Sequence, residues 1–344
     1  MIKKTFLSLL LVVMAILFFD IDVTKVTEQA IDFVLQRQED GTPPPAGEIT
    51  PSTLALSGRT VNMGDGLETV IDSFGDAMDT IPSEYGFTWY IYHNDYRDYI
   101  QIGLDDTGAV CAAYTNSPKF VFDGLSVGST MDDARMALGE PLESIQKGNV
   151  IYQLNNGVDG KREMDVFRFR GMYVRFFYDC FKNNTITAVH IIEEDTEHAF
   201  ARRYAEGTPE LARALEKENF YVTNALRVRE GKPPVRWSGE AHKVALAHSA
   251  DMAAHDYFSH TDRDGGSALE RLQGGGVRLS SAAENLAAGG QNGAVMHELL
   301  MNSEGHRKNI LGQYEYLGVG VAFNEENRPY LTQNYYNPPK ILIG

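Results

Sequence analysis

Only two cysteines occur in 344 residues, too few to staple the fold. Cys111 and Cys180 could pair in an exported chain or remain free and buried, and both readings stay open. Neither a cysteine nor a Gly-x-Ser-x-Gly elbow lies in the C-terminal third. Acyl-enzyme chemistry therefore has no evident nucleophile there. Basic charge is also scarce. Lys and Arg number 31 against 47 Asp and Glu, a net charge of −16, and no basic patch stands out. That argues against nucleic acid as a partner. The excess acid lies at the front, because from Leu211 onward there are 14 basic and 15 acidic residues. Such a front half is repelled by anionic polymers and lipid headgroups.

Long apolar runs are missing except for one, Thr5 to Phe19, which follows Lys3 and Lys4. Lysines before an uncharged apolar run form an export signal. The run falls short of the ~20 residues of a spanning helix, but Ile21 and Val23 extend it. Leu17-Phe-Phe-Asp-Ile21 offers no small-x-small cleavage site, and no cysteine follows to carry a lipid. We expect an uncleaved signal-anchor over 1–23 in the cell membrane, lysines inside and the remainder extracellular. Secretion after signal cleavage is the alternative. Residues 24–54 read as a helix-like stretch and a linker whose Pro43-Pro44-Pro45 makes it extended and semi-rigid.

Residues 55–195 suggest a tandem repeat. Gly64 precedes Gly75-Asp76, and Gly128 precedes Gly139-Glu140, each by 11 residues. Between them lie helix-like stretches with Leu67, Val70, Ile71 and Phe74, or Met131, Ala134, Ala137 and Leu138. Glycine at the end suits a left-handed helix cap. Aromatic and β-branched runs at 87–92, 99–104, 110–114, 150–154, 172–178 and 186–192 predict three strands after each helix. His93, His190 and His198 are isolated and read as structural.

Residues 196–207 form a polar connector. Thr208-Pro209-Glu210 then opens a helix, with threonine as N-cap and proline in the first turn. A second helix begins at Ser238. Its His242, His248 and His255 lack the four-residue spacing of a helical metal pair, so packing or hydrogen-bonding roles are expected. His297-Glu298 resembles the start of a zinc-protease helix, but Met301 replaces the second histidine and removes that chemistry. Three other groups, His260, Glu284 and His306, fall where the sequence reads as helix ends and loops. Imidazoles with a carboxylate are a frequent divalent-ion set, so a shared site is plausible.

The motifs His255-Asp-Tyr-Phe-Ser-His260, Glu284-Asn-Leu-Ala, Asn302-Ser-Glu-Gly-His-Arg-Lys-Asn-Ile-Leu311, Gly318-Val-Gly and Leu331-Thr-Gln-Asn-Tyr-Tyr occur in this order. Over 208–344 the chain resembles the bacterial branch of the CAP superfamily, which includes the cysteine-rich secretory and pathogenesis-related proteins. Residues 55–195 resemble the CAP-associated N-terminal domain of Gram-positive bacteria. The resemblance implies an α+β chain in which an α-β-α sandwich with a central cleft follows the repeat module. It implies that His260, Glu284 and His306 match three of four cleft residues, which in some members bind a divalent cation such as zinc. Ser303 stands where many eukaryotic members carry the fourth, a glutamate, and Leu300 replaces a tryptophan usual in that helix. Serine is a poor ligand, so the resemblance favours a non-enzymatic binding module for a lipid, peptide or cell-envelope ligand in a cleft of His260, Glu284, Ser303 and His306. A metal-assisted hydrolase is the alternative, with His260 and His306 holding the ion, and Glu284 and His306 as candidate catalytic groups. A scaffold in an envelope complex is the third reading.

Overall fold

The computed structural model describes residues 53–339 apart from 155, 159 and 160. The expected anchor, helix-like stretch and proline linker lie outside these residues. The front half opens with a hairpin, β1 (Thr53–Leu56) and β2 (Arg59–Asn62), then α1 (Leu67–Phe74). Strands β3 (Asp79–Pro82), β4 (Thr88–Asn94), β5 (Arg97–Leu104) and β6 (Val110–Thr115) follow. Short β7 (Phe120–Phe122) and β8 (Leu125–Ser126) lead to α2 (Met131–Leu138). Next come β9 (Ser144–Lys147), β10 (Val150–Gln153), β11 (Gly157–Val158), β12 (Lys161–Arg162), β13 (Met164–Phe169), β14 (Met172–Asp179), β15 (Thr185–Glu193) and α3 (Glu194–Ala199).

Both early helices stop for the same reason. Gly75 and Gly139 adopt φ of 80° and 87°, and their N–H groups close on the Ile71 and Arg135 carbonyls. Only glycine takes that backbone without strain. The strands do not divide three and three. One antiparallel sheet runs β13-β14-β15-β6-β5-β4-β3, while β9–β10 and β11–β12 form separate pairs. Aromatic residues crowd these strands because both sheet faces are buried. One face meets α1, α2 and the β1–β7 sheet through Phe74, Ile102 and Phe176. The opposite face, with Trp89, Tyr114 and Phe177, packs on residues of the back half such as Val222 and Val295. Cys111 and Cys180 are free thiols, and burial pushes the first up to about 12.

The back half starts with α4 (Pro209–Arg229), whose Leu211 N–H donates to Thr208 Oγ1 at 3.1 Å. Then come β16 (Arg236–Trp237), α5 (Gly239–His255), α6 (Ala268–Gly274), β17 (Ser281–Ala288), α7 (Gly293–Met301), α8 (Glu304–Ile310), β18 (Tyr316–Phe323) and β19 (Pro329–Asn337). The sheet order β16-β18-β19-β17 leaves β17 at an edge. Helices α4 and α7 cover one face through Leu215, Met296, Val319 and Tyr335. Helix α5 covers the other through Ala241, Val244, Met252 and Leu286. The result is an α-β-α sandwich. Gly318 and Gly320 explain the Leu-Gly-Val-Gly-Val run: a Cβ at either would collide with the α5 backbone at His242 or Leu246. Glycine on alternate positions lets the helix lie directly on β18.

Candidate functional site

Edge strand β17 supplies the centre. Its side chains alternate between sheet faces, so Glu284 points to the α5 side and Asn285 to the α4 and α7 side. Glu284 therefore sits on a strand and not in the loop its neighbours suggest. His260 arrives from the segment after α5, which leaves the helix through Asp256 in left-handed conformation at φ 49°. His260 Nδ1 lies 2.9 Å from Glu284 Oε1, with the imidazole side chain 58% exposed and the carboxylate 3% exposed. His306, on α8, approaches the same edge, its ring centroid 6.4 Å from that of His260. Burial, and then the neighbouring His260, holds its imidazole below the usual histidine range. The three groups read from sequence thus come together.

Arg271 completes the cluster, and sequence gave no sign of it. The capping box of Ser267 and Glu270 starts α6 and sets Arg271 one position later. Its Nη2 donates to Glu284 Oε2 at 2.6 Å, and Nη1 donates to the His260 and Gly266 carbonyls at 3.0 and 2.8 Å. Charge-assisted bonds of this kind are strong and directional. They engage both Glu284 oxygens, one by His260 and one by Arg271. A divalent ion would have to compete with a guanidinium for that carboxylate. Among the described residues no three His, Cys, Asp or Glu side chains are grouped to hold a metal.

Helix α8 is fixed from two sides. Asn309 Nδ2 donates to the Glu284 carbonyl at 3.2 Å and to Asn285 Oδ1 at 2.9 Å, while Asn285 Nδ2 donates to the His306 carbonyl at 3.3 Å. Behind Asn285 runs a buried polar chain. Asn285 donates to Gln333, Gln333 donates to Asn219 and Thr223, and Thr223 meets His297 at 3.1 Å. On its far side α8 is held by the front half. Arg307 makes a bidentate pair with Asp179 at 3.0 and 2.8 Å, and Asn302 donates to the Tyr178 carbonyl. Ser303 occupies the N-cap of α8, but its side chain makes no capping bond.

Spare polar capacity lies under the site. Asn334 pairs in register with Glu284, so it shares the α5 face. It is fully buried, and neither its Oδ1 nor its Nδ2 has a partner among the described residues. His248 Nδ1 and Arg271 Nε are likewise unpartnered. Buried polar groups without partners are costly, and they mark places for water or ligand. Other histidines take packing or hydrogen-bonding roles. His242 Nδ1 meets the Val319 carbonyl at 2.7 Å, His248 Nε2 the Ser259 carbonyl at 2.9 Å, and His255 the Asp251 carbonyl at 2.9 Å. His190 and His297 are buried and held neutral, both near 3 by desolvation. Glu298, from the rejected protease-like pair, accepts from Tyr114 at 2.7 Å across the junction of the two halves. Leu300 faces the core.

Family models match twice: a CAP-associated N-terminal model over residues 63–202, and a cysteine-rich secretory protein family model over residues 220–335. A Bacillus subtilis membrane protein, YlbC, is 28% identical over 302 residues, spanning 82% of this chain and 84% of that one. YkwD of the same organism is 36% identical over 115 residues, 33% of this chain and 45% of its own. Among solved structures, an extracellular Bacillus anthracis protein containing an SCP domain superposes with a TM-score of 0.68 at 27% identity, covering 80% of this chain and 93% of that one. A Staphylococcus aureus cysteine-rich secretory protein shares the fold, with a TM-score of 0.64 at 16% identity over 80% of this chain and 93% of its own.

Proposed function

The chain is a CAP-domain protein that carries a CAP-associated N-terminal domain, and from this premise we propose that the cleft of His260, Glu284, Ser303 and His306 binds a lipid, peptide or cell-envelope ligand without turning it over. One observation carries the reading. Glu284 is buried and engaged on both oxygens by His260 and Arg271, while His260 reaches solvent above it. A carboxylate engaged on both oxygens has little capacity left for a water or a metal ion. The same ion pair holds an imidazole ready to donate or accept a hydrogen bond. Asn334, His248 and Arg271 leave further polar atoms unpartnered below. This favours recognition over hydrolysis.

The chain is held at the outer face of the cell membrane by its N-terminal segment. YlbC is described as a membrane protein and the Bacillus anthracis relative as extracellular, which supports this reading. The front module descends from two copies of one helix-led unit. Gly64 N–H donates to the Val110 carbonyl and Gly128 N–H to the Ile186 carbonyl, both at 2.8 Å, just before α1 and α2. Native mass spectrometry of the full chain purified from its host membrane tests the binding reading. A bound adduct lost in His260→Ala and His306→Ala is expected. Cleavage of a peptide or glycan by the wild type, abolished in the same variants, would instead establish the hydrolase.

A further inference from the structure

A second site lies away from the cleft. Between the β9–β10 hairpin and the start of α7 is a cavity of about 460 Å³, within the size range of small-molecule sites. Both halves of the chain build it. The front half contributes Ile145, Leu154, Met164 and Arg175, and the back half contributes Gln291, Val295 and Leu299.

Its charge is unbalanced. The wall carries Lys147, Arg175, Arg202 and Arg203 against Glu163 and Glu197. Lys147 is already matched, since its Nζ pairs with Glu197 at 2.5 Å and donates to the Phe200 carbonyl at 2.8 Å. Arg175 is not. Among the described residues its terminal nitrogens reach only Gln291 Oε1, at 3.5 and 3.4 Å, the outer limit of a hydrogen bond. Its Nε is buried and has no partner among the described residues. Glu84, which feels the Arg175 charge, is bonded by Asn292 at 2.6 Å, and its burial favours the neutral acid. A half-buried guanidinium without an ion-paired carboxylate is a destabilising arrangement. Guanidinium geometry matches a carboxylate in bidentate fashion.

We propose that this cavity binds a carboxylate on a compact apolar body, the carboxylate on Arg175 and the apolar part along Ile145, Leu154 and Met164. A medium-chain fatty acid and the C-terminus of an apolar peptide both have this chemistry. The Gly289-Gly290-Gln291 wall directly follows β17, the strand that bears Glu284, so occupancy here abuts the cleft strand.

The test is calorimetric titration of the full chain in lipid nanodiscs, with empty nanodiscs as blank. The probes are octanoate and N-acetyl-leucyl-leucine, each beside its neutral counterpart, octan-1-ol or the peptide amide. At least one acid should bind saturably at a single site, roughly tenfold or more tighter than its counterpart. Octanoate alone would identify a fatty acid, and the peptide acid alone a chain terminus. Arg175→Gln should weaken the bound acid roughly tenfold or more. Because Arg175 sits at the junction and its loss could disturb folding, Ile151→Asp provides a second handle. Ile151 lines the cavity and is 50% exposed, so the new negative charge should weaken acid binding severalfold with the fold intact. Equal binding of acid and neutral counterpart, wild-type affinity in both variants, or no saturation by either acid at millimolar concentration would overturn the proposal.

Discussion

Replacing Arg271 by methionine keeps most of the side-chain volume and removes the cation 2.6 Å from Glu284. The Glu284 side chain is 3% exposed and that of Arg271 12% exposed. Removing one member of a buried pair costs about 3–5 kcal/mol, because the remaining charge is left desolvated. His260 still bonds one oxygen of Glu284, which reduces the expected loss to about 2–4 kcal/mol. Glu284→Gln should cost a similar amount by stranding Arg271. The double variant has no uncompensated charge, so the two losses should fall short of additive by about 2 kcal/mol. Urea denaturation of the four proteins at pH 7 measures this coupling directly. Additivity within about 0.5 kcal/mol would refute the view that Arg271 holds Glu284. So would saturable stabilisation of the wild type by zinc that disappears in Glu284→Gln.

Arg307→Ala should leave Asp179, whose side chain is 6% exposed, without its cation and destabilise the chain by about 3 kcal/mol; hydrogen exchange of the α8 amides should accelerate, since that helix loses its tie to the front half. Gly320→Ala forces a methyl into the α5 backbone and should cost about 2 kcal/mol or more, whereas Gly305→Ala meets nothing within 4 Å and should stay within about 0.5 kcal/mol; thermal unfolding separates them. Burial raises the Glu298 carboxyl to about 7. Its folded state therefore binds more protons than the unfolded state above the usual carboxylate range, and this contribution to stability is lost as pH rises from about 4.5 to about 7. Relative to wild type, Glu298→Gln should gain about 1–3 kcal/mol between pH 4.5 and 8, read by denaturation at each pH.

Local chemistry made some elements readable in the sequence. Thr208 and Pro209 mark the start of α4, Ser238 caps α5, and Gly75 and Gly139 end α1 and α2 because their backbone excludes other residues. His260, Glu284 and His306 are legible because histidine and carboxylate in ordered short motifs are chemically conspicuous. Their partners are not. Arg271 looks like any helix-surface arginine until folding turns it onto Glu284, and Asn334 gains meaning only from its register opposite that residue. The strand character of Glu284 was hidden by its alanine-rich surroundings, which carry no strand propensity of their own.

By itself the sequence determined the starts of α4 and α5, the glycine ends of α1 and α2, the scarcity of nucleophiles and the identity of the three conspicuous site groups, since each depends on neighbours along the chain. Only the tertiary structure decided that Glu284 is occupied by Arg271, that α8 is gripped by Asp179 from the front half, and that Arg175 faces a cavity with no carboxylate partner among the described residues. These facts rest on contacts between residues 13, 128 and 116 positions apart. No local pattern encodes such contacts, because they are fixed by how two sheets and their helices pack.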